Sequence, residues 1–193
     1  MCGRYYIEEE NTPGEISRII DRMQRLSLNG KAVKTAGEIF PNAAVPVIAG
    51  NRKGNPDVFA MKWGYHLNSR LIINARSETV RNKEMFQDGI KQRRCLIPAS
   101  AYYEWEHLSS SVVKYEISPK NHPVFYFAGL YRFEKNEPVF CILTKKANEQ
   151  IQAFHPRMPV MFTGKDCQRW LDVGTNTDEL IENSLSQMML RKV

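Results

Sequence analysis

Between residues 45 and 145 the chain is a succession of short β-rich runs, "VFAMKW", "LII", "CLIPASAYYEW", "VVKYEI", "VFYFAGLYRF" and "VFCILT", set apart by Gly, Pro, Asn and Ser. Runs of this composition between turn formers read as strands. Strands in series, with the helices kept apart from them, point to an α+β fold rather than a regular βαβ array. One polar stretch, "SETVRNKEMFQDGIKQRR", interrupts the series with Val80, Met85, Phe86 and Ile90 at roughly helical intervals. The clearest helix signal precedes the strands. Over residues 13–28, Ile16, Ile19, Ile20, Met23 and Leu26 share one face, Thr12, Pro13 and Glu15 supply N-terminal signals, and Gly30 follows the end. Further helices are predicted at "ANEQIQAF", "GKDCQRWLD" and "TDELIENSLSQMML". With no repeat, low-complexity tract or linker, residues 1–193 read as a single domain.

The chain is long enough to bury a substantial core. At 42% hydrophobic and 25% charged residues it reads as a soluble globular protein. No apolar run approaches the roughly 18 residues of a membrane helix, and the start lacks the basic and apolar regions of a secretory signal. We therefore expect a cytoplasmic protein with no membrane partner. Lys and Arg outnumber Asp and Glu by 27 to 21, a net positive charge that suits a polyanionic partner as well as an ordinary solvated surface. Cys2, Cys95, Cys141 and Cys167 form no C-x-x-C pair, and no histidine has a partner at metal-ligand spacing, so neither a metal nor a cofactor is expected.

Cys2 raises a chemical question that its neighbours help to answer. Cysteine is often only a small buried apolar residue. Once Met1 is removed, however, Cys2 carries a free α-amine beside its thiol, and an α-amine with a pKa of about 7.7–8.0 is partly nucleophilic at neutral pH. Such an aminothiol attacks an aldehyde through the amine and closes a thiazolidine ring through sulfur. In "INARSET", Asn74, Arg76 and Glu78 alternate along a strand end and share a face; Ser77 or Thr79 suits a helix cap, with Glu78 stabilising the first turn. Glu104, between Tyr103 and Trp105, is either a carboxyl raised by desolvation and suited to acid/base work or a strand residue facing water. Trp63 and Trp105 suit either a core or base stacking. His155, Arg157 and Met158 lie in "FHPRMPVMF", an irregular segment of the kind that presents site residues.

In order along the chain, "MCGRY", "WGY", "NARSET", "RCLIPASAYYEW" and "TKKAN…FHPRMPV" resemble the SOS response-associated peptidase (SRAP) family of abasic-site processing proteins. The resemblance implies an α+β fold around a strongly curved, barrel-like, mainly antiparallel sheet with flanking helices. It also implies a protein that binds single-stranded DNA at abasic sites and crosslinks to the lesion through Cys2. Matched by motif, Cys2 is the nucleophile, Asn74 fixes the ring, Glu104 shuttles protons and His155 bonds the opened sugar. Arg4, Arg76 and Arg157 match phosphate contacts, and Trp63, Trp105 and Met158 match apolar surfaces beside the lesion. Ala101 stands where the family commonly has glycine, Tyr65 where leucine is usual, and "GEIFPNAAVP" follows the family pattern less clearly. A monomer without cofactor is expected. Competing readings are a thiol (auto)peptidase using Cys2 and His155, lyase activity at the abasic site, and a non-catalytic binder of single-stranded DNA.

Overall fold

Each β-rich run between residues 45 and 145 is strand in the structure, with "CLIPASAYYEW" divided at Ser100 into two strands; the structure is a computed structural model that describes residues 2–8, 27–28 and 31–193. The helix expected over 13–28 lies almost wholly outside the described residues. In chain order the strands are β1 (Tyr5–Ile7), β2 (Ser27–Leu28), β3 (Lys31–Ala32), β4 (Gly37–Ile39), β5 (Ala44–Gly50), β6 (Pro56–Trp63), β7 (Tyr65–Leu67), β8 (Arg70–Ile72) and β9 (Asn74–Arg76). They continue with β10 (Arg94–Ala99), β11 (Ala101–His107), β12 (Val112–Pro119), β13 (Phe125–Glu134), β14 (Glu137–Lys146), β15 (Arg157–Pro159), β16 (Met161–Phe162) and β17 (Met188–Lys192). The described helices are α1 (Glu84–Gln92), α2 (Glu149–Gln152), α3 (Lys165–Leu171) and α4 (Thr177–Glu182).

Five strands close into a barrel in the order β5, β10, β13, β14, β6 and back to β5. Four of these pairings are antiparallel, and β6 with β14 is parallel, which makes the barrel mixed. Alternation along each strand sends Val45, Val47, Met61, Trp63, Cys95, Ile97, Phe127 and Phe140 into one core. The intervening residues Leu96, Ala128, Leu130, Cys141 and Leu143 belong to a second core with Phe86 and Ile90 of α1, Trp170 of α3 and Leu180 of α4. β10 is therefore buried at every position, as a strand covered on both faces must be. A second sheet, in the order β17, β12, β11, β1, β4, lies against the first core. Its Tyr5 ring meets Trp63 and Phe127 edge-on, with centroids 5.2 and 5.5 Å apart.

The C-terminal stretch departs from expectation. The helix expected over "TDELIENSLSQMML" ends at Glu182, and Met188–Lys192 is instead a strand paired with β12. Met188 is buried and Leu190 packs on the core while Met189 is exposed, a period of two that matches a strand better than a helix. The Gln150 amide fixes the turn of the chain, donating to the Met188 carbonyl at 2.8 Å and accepting from its N–H at 3.2 Å.

Gly129 shows how tightly the barrel is filled. A methyl group there would lie 2.4 Å from Ile97 Cδ1 and 2.9 Å from Cys95 Sγ. Overpacking of this kind costs about 1–3 kcal/mol, so Gly129→Ala is expected to lower the denaturant midpoint by that much stability with an unchanged m-value. An unchanged midpoint would show the barrel interior to be looser than its geometry.

Candidate active site around Cys2

Pairing between β1 and β11 assembles the site. Tyr5 stands opposite Tyr102, and the Tyr103 N–H donates to the Arg4 carbonyl at 3.0 Å. Beyond Arg4 the chain carries Cys2 into the first core, on the side of Tyr5 and Tyr102. Cys2 is 1% exposed, with its thiol 3.8 Å from the Arg4 carbonyl. Its own carbonyl accepts from Asn74 Nδ2 at 3.1 Å. Asn74 is delivered by the first residue of β9, which runs parallel to β14. Asn74 Oδ1 is buried and accepts no hydrogen bond among the described residues.

Alternation along β11 turns Tyr102 and Glu104 to one face and Tyr103 and Trp105 to the other. Glu104 is therefore buried at 5% exposure, which corrects the reading that it faces water. Burial pushes its carboxyl above the ordinary range. Burial also pushes the Cys2 thiol well up, with the Glu104 charge adding to the effect, so the thiol is protonated at neutral pH. Sequence reasoning missed Tyr5 and Tyr102, whose buried hydroxyls have no hydrogen-bond partner among the described residues and are held protonated chiefly by burial. Their only signal was the shared register, which no local pattern reveals.

His155 follows Phe154, whose ring packs on Tyr115 at 4.7 Å, and Tyr115 is the cross-strand partner of Glu104. The Arg157 N–H donates to His155 Nδ1 at 2.9 Å, while the Arg157 carbonyl is a longer 3.3 Å from the same nitrogen. The shorter contact makes Nδ1 an acceptor and leaves the proton on Nε2. Burial lowers the pKa of the imidazole below its ordinary value, so at neutral pH His155 is an uncharged Nε2–H donor.

The remaining candidates divide. The Arg157 guanidinium is clamped by Glu78 at 2.6 and 2.8 Å and donates to the Thr144 carbonyl at 2.6 Å. Its hydrogen bonds are the largest cause holding the Glu78 carboxyl below the usual range. Arg157 thus ties β15 to the turn after β9 and fixes the segment carrying His155. Arg76 is exposed and makes no ion pair among the described residues. Arg4 is partly exposed and Trp105 half-buried. Trp63 and Met158 require correction, because neither has a solvent-exposed face on which a base could stack. Trp63 is wholly buried inside the barrel, stacked on Phe140 and donating to the Ile73 carbonyl at 3.1 Å, and Met158 is 1% exposed. A pocket of about 430 Å³ bounded by Ser77, Glu78, Lys146, Asn148 and Met158 adjoins the Arg157 ion pair. It does not include Cys2, Asn74 or Glu104. No group of three or more His, Cys, Asp or Glu residues suited to a metal occurs among the described residues, and among them no helix is long and apolar enough to cross a membrane.

A five-stranded mixed barrel backed by a second sheet, with few helices, is the fold class of the chain. The whole chain, residues 1–193, matches the family described as SOS response associated peptidase (SRAP), and the chain belongs to that family. It is 38% identical over 122 residues to abasic site processing protein YoqW of Bacillus subtilis, an alignment covering 60% of this chain and 54% of that protein. It is 28% identical over 138 residues to abasic site processing protein YMR114C of Saccharomyces cerevisiae, covering 63% and 38% respectively. The chain thus spans about half the length of the first of these relatives. A crystal structure of a Bacteroides thetaiotaomicron protein superimposes with a TM-score of 0.78 at 20% identity, covering 100% of this chain and 92% of that one. A phage-related protein of Bordetella bronchiseptica gives 0.74 at 22% identity, covering 100% and 94%.

The hydrogen-bond arrangement sets the tautomer expected of His155. Nitrogen-15 NMR of the imidazole at pH 7 should show a protonated Nε2 and an unprotonated Nδ1, with titration below about pH 6.5. Because the folded pKa is depressed, the stability linked to this group is full above the unfolded pKa and is lost as pH falls through the folded one. A proton on Nδ1 at pH 7 would overturn the assignment.

Proposed function

We propose that the protein captures abasic sites in single-stranded DNA as a thiazolidine on Cys2. The observation that carries this reading is the convergence of a buried Cys2, an Asn74 amide bonded to its carbonyl and a Glu104 carboxyl raised by burial. The names of the relatives, abasic site processing proteins, support the substrate class.

Each residue has a task in this scheme. The α-amine freed by removal of Met1 adds to the open-chain aldehyde of the lesion. Protonated Glu104 gives its proton to the carbinolamine hydroxyl, which leaves as water and forms the iminium ion. The Cys2 sulfur then adds to the iminium carbon as its proton passes to the Glu104 carboxylate, and the iminium nitrogen becomes the neutral ring N–H. One water is lost overall, and the steps reverse through the same groups. The His155 Nε2–H donates to the oxygen released when the sugar opens, and Asn74 Oδ1 is an available acceptor for the ring N–H. Arg76, which has no ion pair among the described residues, suits a backbone phosphate. Arg157 reaches DNA only by leaving Glu78, and its contribution is to position His155.

A thiol peptidase would draw on different properties. It needs a readily ionised thiol and a histidine acting as base, whereas burial raises the Cys2 thiol and His155 has its Nδ1 lone pair engaged. These observations weigh against the peptidase reading. A purely non-covalent binder gives no role to a carboxyl buried beside the cysteine.

Intact-mass spectrometry with an abasic single-stranded oligonucleotide tests the proposal. Protein lacking Met1 should gain the oligonucleotide mass less one water, and Cys2→Ala should retain no stable adduct. Glu104→Gln is expected to slow both formation and reversal by about 100-fold, the scale of general acid/base catalysis, while oligonucleotide affinity changes little. Equal losses in binding and rate would remove the acid/base role, and a processed wild-type protein that forms no adduct would sink the proposal.

A further inference from the structure

The outer face of the second sheet carries a cluster that the crosslinking chemistry does not use. The Arg4 guanidinium carbon lies 4.5 Å from the Phe40 ring centroid and 5.2 Å from that of Trp105, contacting both rings. The Lys114 ammonium sits 3.8 Å from the Tyr103 centroid and 6.0 Å from that of Trp105. One carboxylate holds both cations: Glu38 Oε1 accepts from Arg4 Nη1 at 3.4 Å and from Lys114 Nζ at 3.0 Å. The Glu38 carbonyl accepts from Lys34 Nζ at 2.6 Å. The cluster is open to solvent, with Arg4 40%, Glu38 28% and Lys114 27% exposed at the side chain and Phe40 43% exposed overall. Arg4 stands two residues from Cys2, and Glu38 and Phe40 belong to the segment in which this chain follows the family pattern less clearly.

Two features of the cluster imitate a nucleotide. A planar guanidinium in contact with two aromatic rings has the shape and stacking preference of a base. A carboxylate shared by an arginine and a lysine stands where a phosphate would be bound. Arg4 and Lys114 on the Glu38 carboxylate, with Lys34 on its backbone carbonyl, leave a net positive charge among these four side chains to attract a polyanion.

We propose that Glu38 is a built-in competitor for single-stranded DNA. In the free protein it holds Arg4 against Phe40 and Trp105. When DNA enters, a backbone phosphate takes over Arg4 and Lys114, and a base beside the lesion stacks on Phe40 and Trp105 in the place Arg4 leaves. The competition lowers affinity for undamaged strands, so that retention depends on the covalent step. The inference deepens the proposed function and rests on it for the identity of the polymer.

Fluorescence anisotropy with the full chain tests this, using a labelled oligothymidylate and an equally long strand of tetrahydrofuran spacers, which has phosphates but neither bases nor aldehydes. Glu38→Gln should bind both strands about 3- to 10-fold more tightly, with a log–log salt slope steeper by about 0.7, as for one more phosphate contact on a single strand. Phe40→Ala should bind oligothymidylate at least about 5-fold more weakly, the lower end of stacking on one base, and leave spacer binding unchanged. Unchanged or weaker binding by Glu38→Gln, or equal losses on both strands for Phe40→Ala, would overturn the inference. The mass-spectrometric adduct separates the two proposals. Tighter binding by Glu38→Gln with no wild-type adduct would leave the competitor standing and remove the crosslink, whereas an adduct with an inert Glu38→Gln would do the reverse.

Discussion

Antiparallel pairing of Arg4 and Tyr5 with Tyr103 and Tyr102 is the interaction on which the rest of the site depends. It draws the start of the chain onto β11 and thereby brings Cys2 to Glu104. Tyr5 anchors the pairing by placing its ring between Trp63 and Phe127 of the barrel, so the N-terminal cysteine is fixed by the main core rather than by local contacts. The same strand then serves two environments. Its inward positions carry Tyr102 and Glu104 into the buried interior, and its outward positions carry Tyr103 and Trp105 to a cationic surface. A one-residue slip in register would exchange these sets.

The strands were legible because their composition and period are local properties, and β6, β12, β13 and β14 fall where the runs lie. Closure of the barrel was not derivable from the pattern, since it requires Val139 and Phe140 of β14 to pair in parallel with Lys62 and Trp63 of β6. The family resemblance supplied the curved sheet. The C-terminal helix was overextended because "ENSLSQMML" has the composition of either element, and the Gln150 side chain and the edge of β12 decide for a strand.

Site residues were legible in proportion to how local their environment is. Asn74 and Glu104 could be singled out as polar groups in strand contexts, yet whether Glu104 faced water or core depended on which face of β11 meets the barrel. Trp63 in "KWGY" reads equally as platform or core, and the barrel interior decides. Arg157 reads as a free cation until Glu78, 79 residues earlier, is found paired with it. Glu38 offers no signal at all in the sequence, because its meaning lies in two cations brought to it from separate strands.

Burial has opposite consequences for the reactive groups, and together they favour one chemistry. A carboxyl and a thiol taken out of water both hold their protons more firmly. For Cys2 this suppresses the thiolate, the form a peptidase or a redox centre would use. For Glu104 it favours the protonated acid, the form needed to expel water from a carbinolamine. An imidazole in the same region goes the other way, losing its charge and keeping one N–H to donate. A site with a reluctant thiol, an available acid and a neutral donor is poorly suited to sulfur attacking first. It is well suited to an amine attacking first, with sulfur arriving second at an imine carbon electrophilic enough to accept it and Glu104 beside it to take the proton.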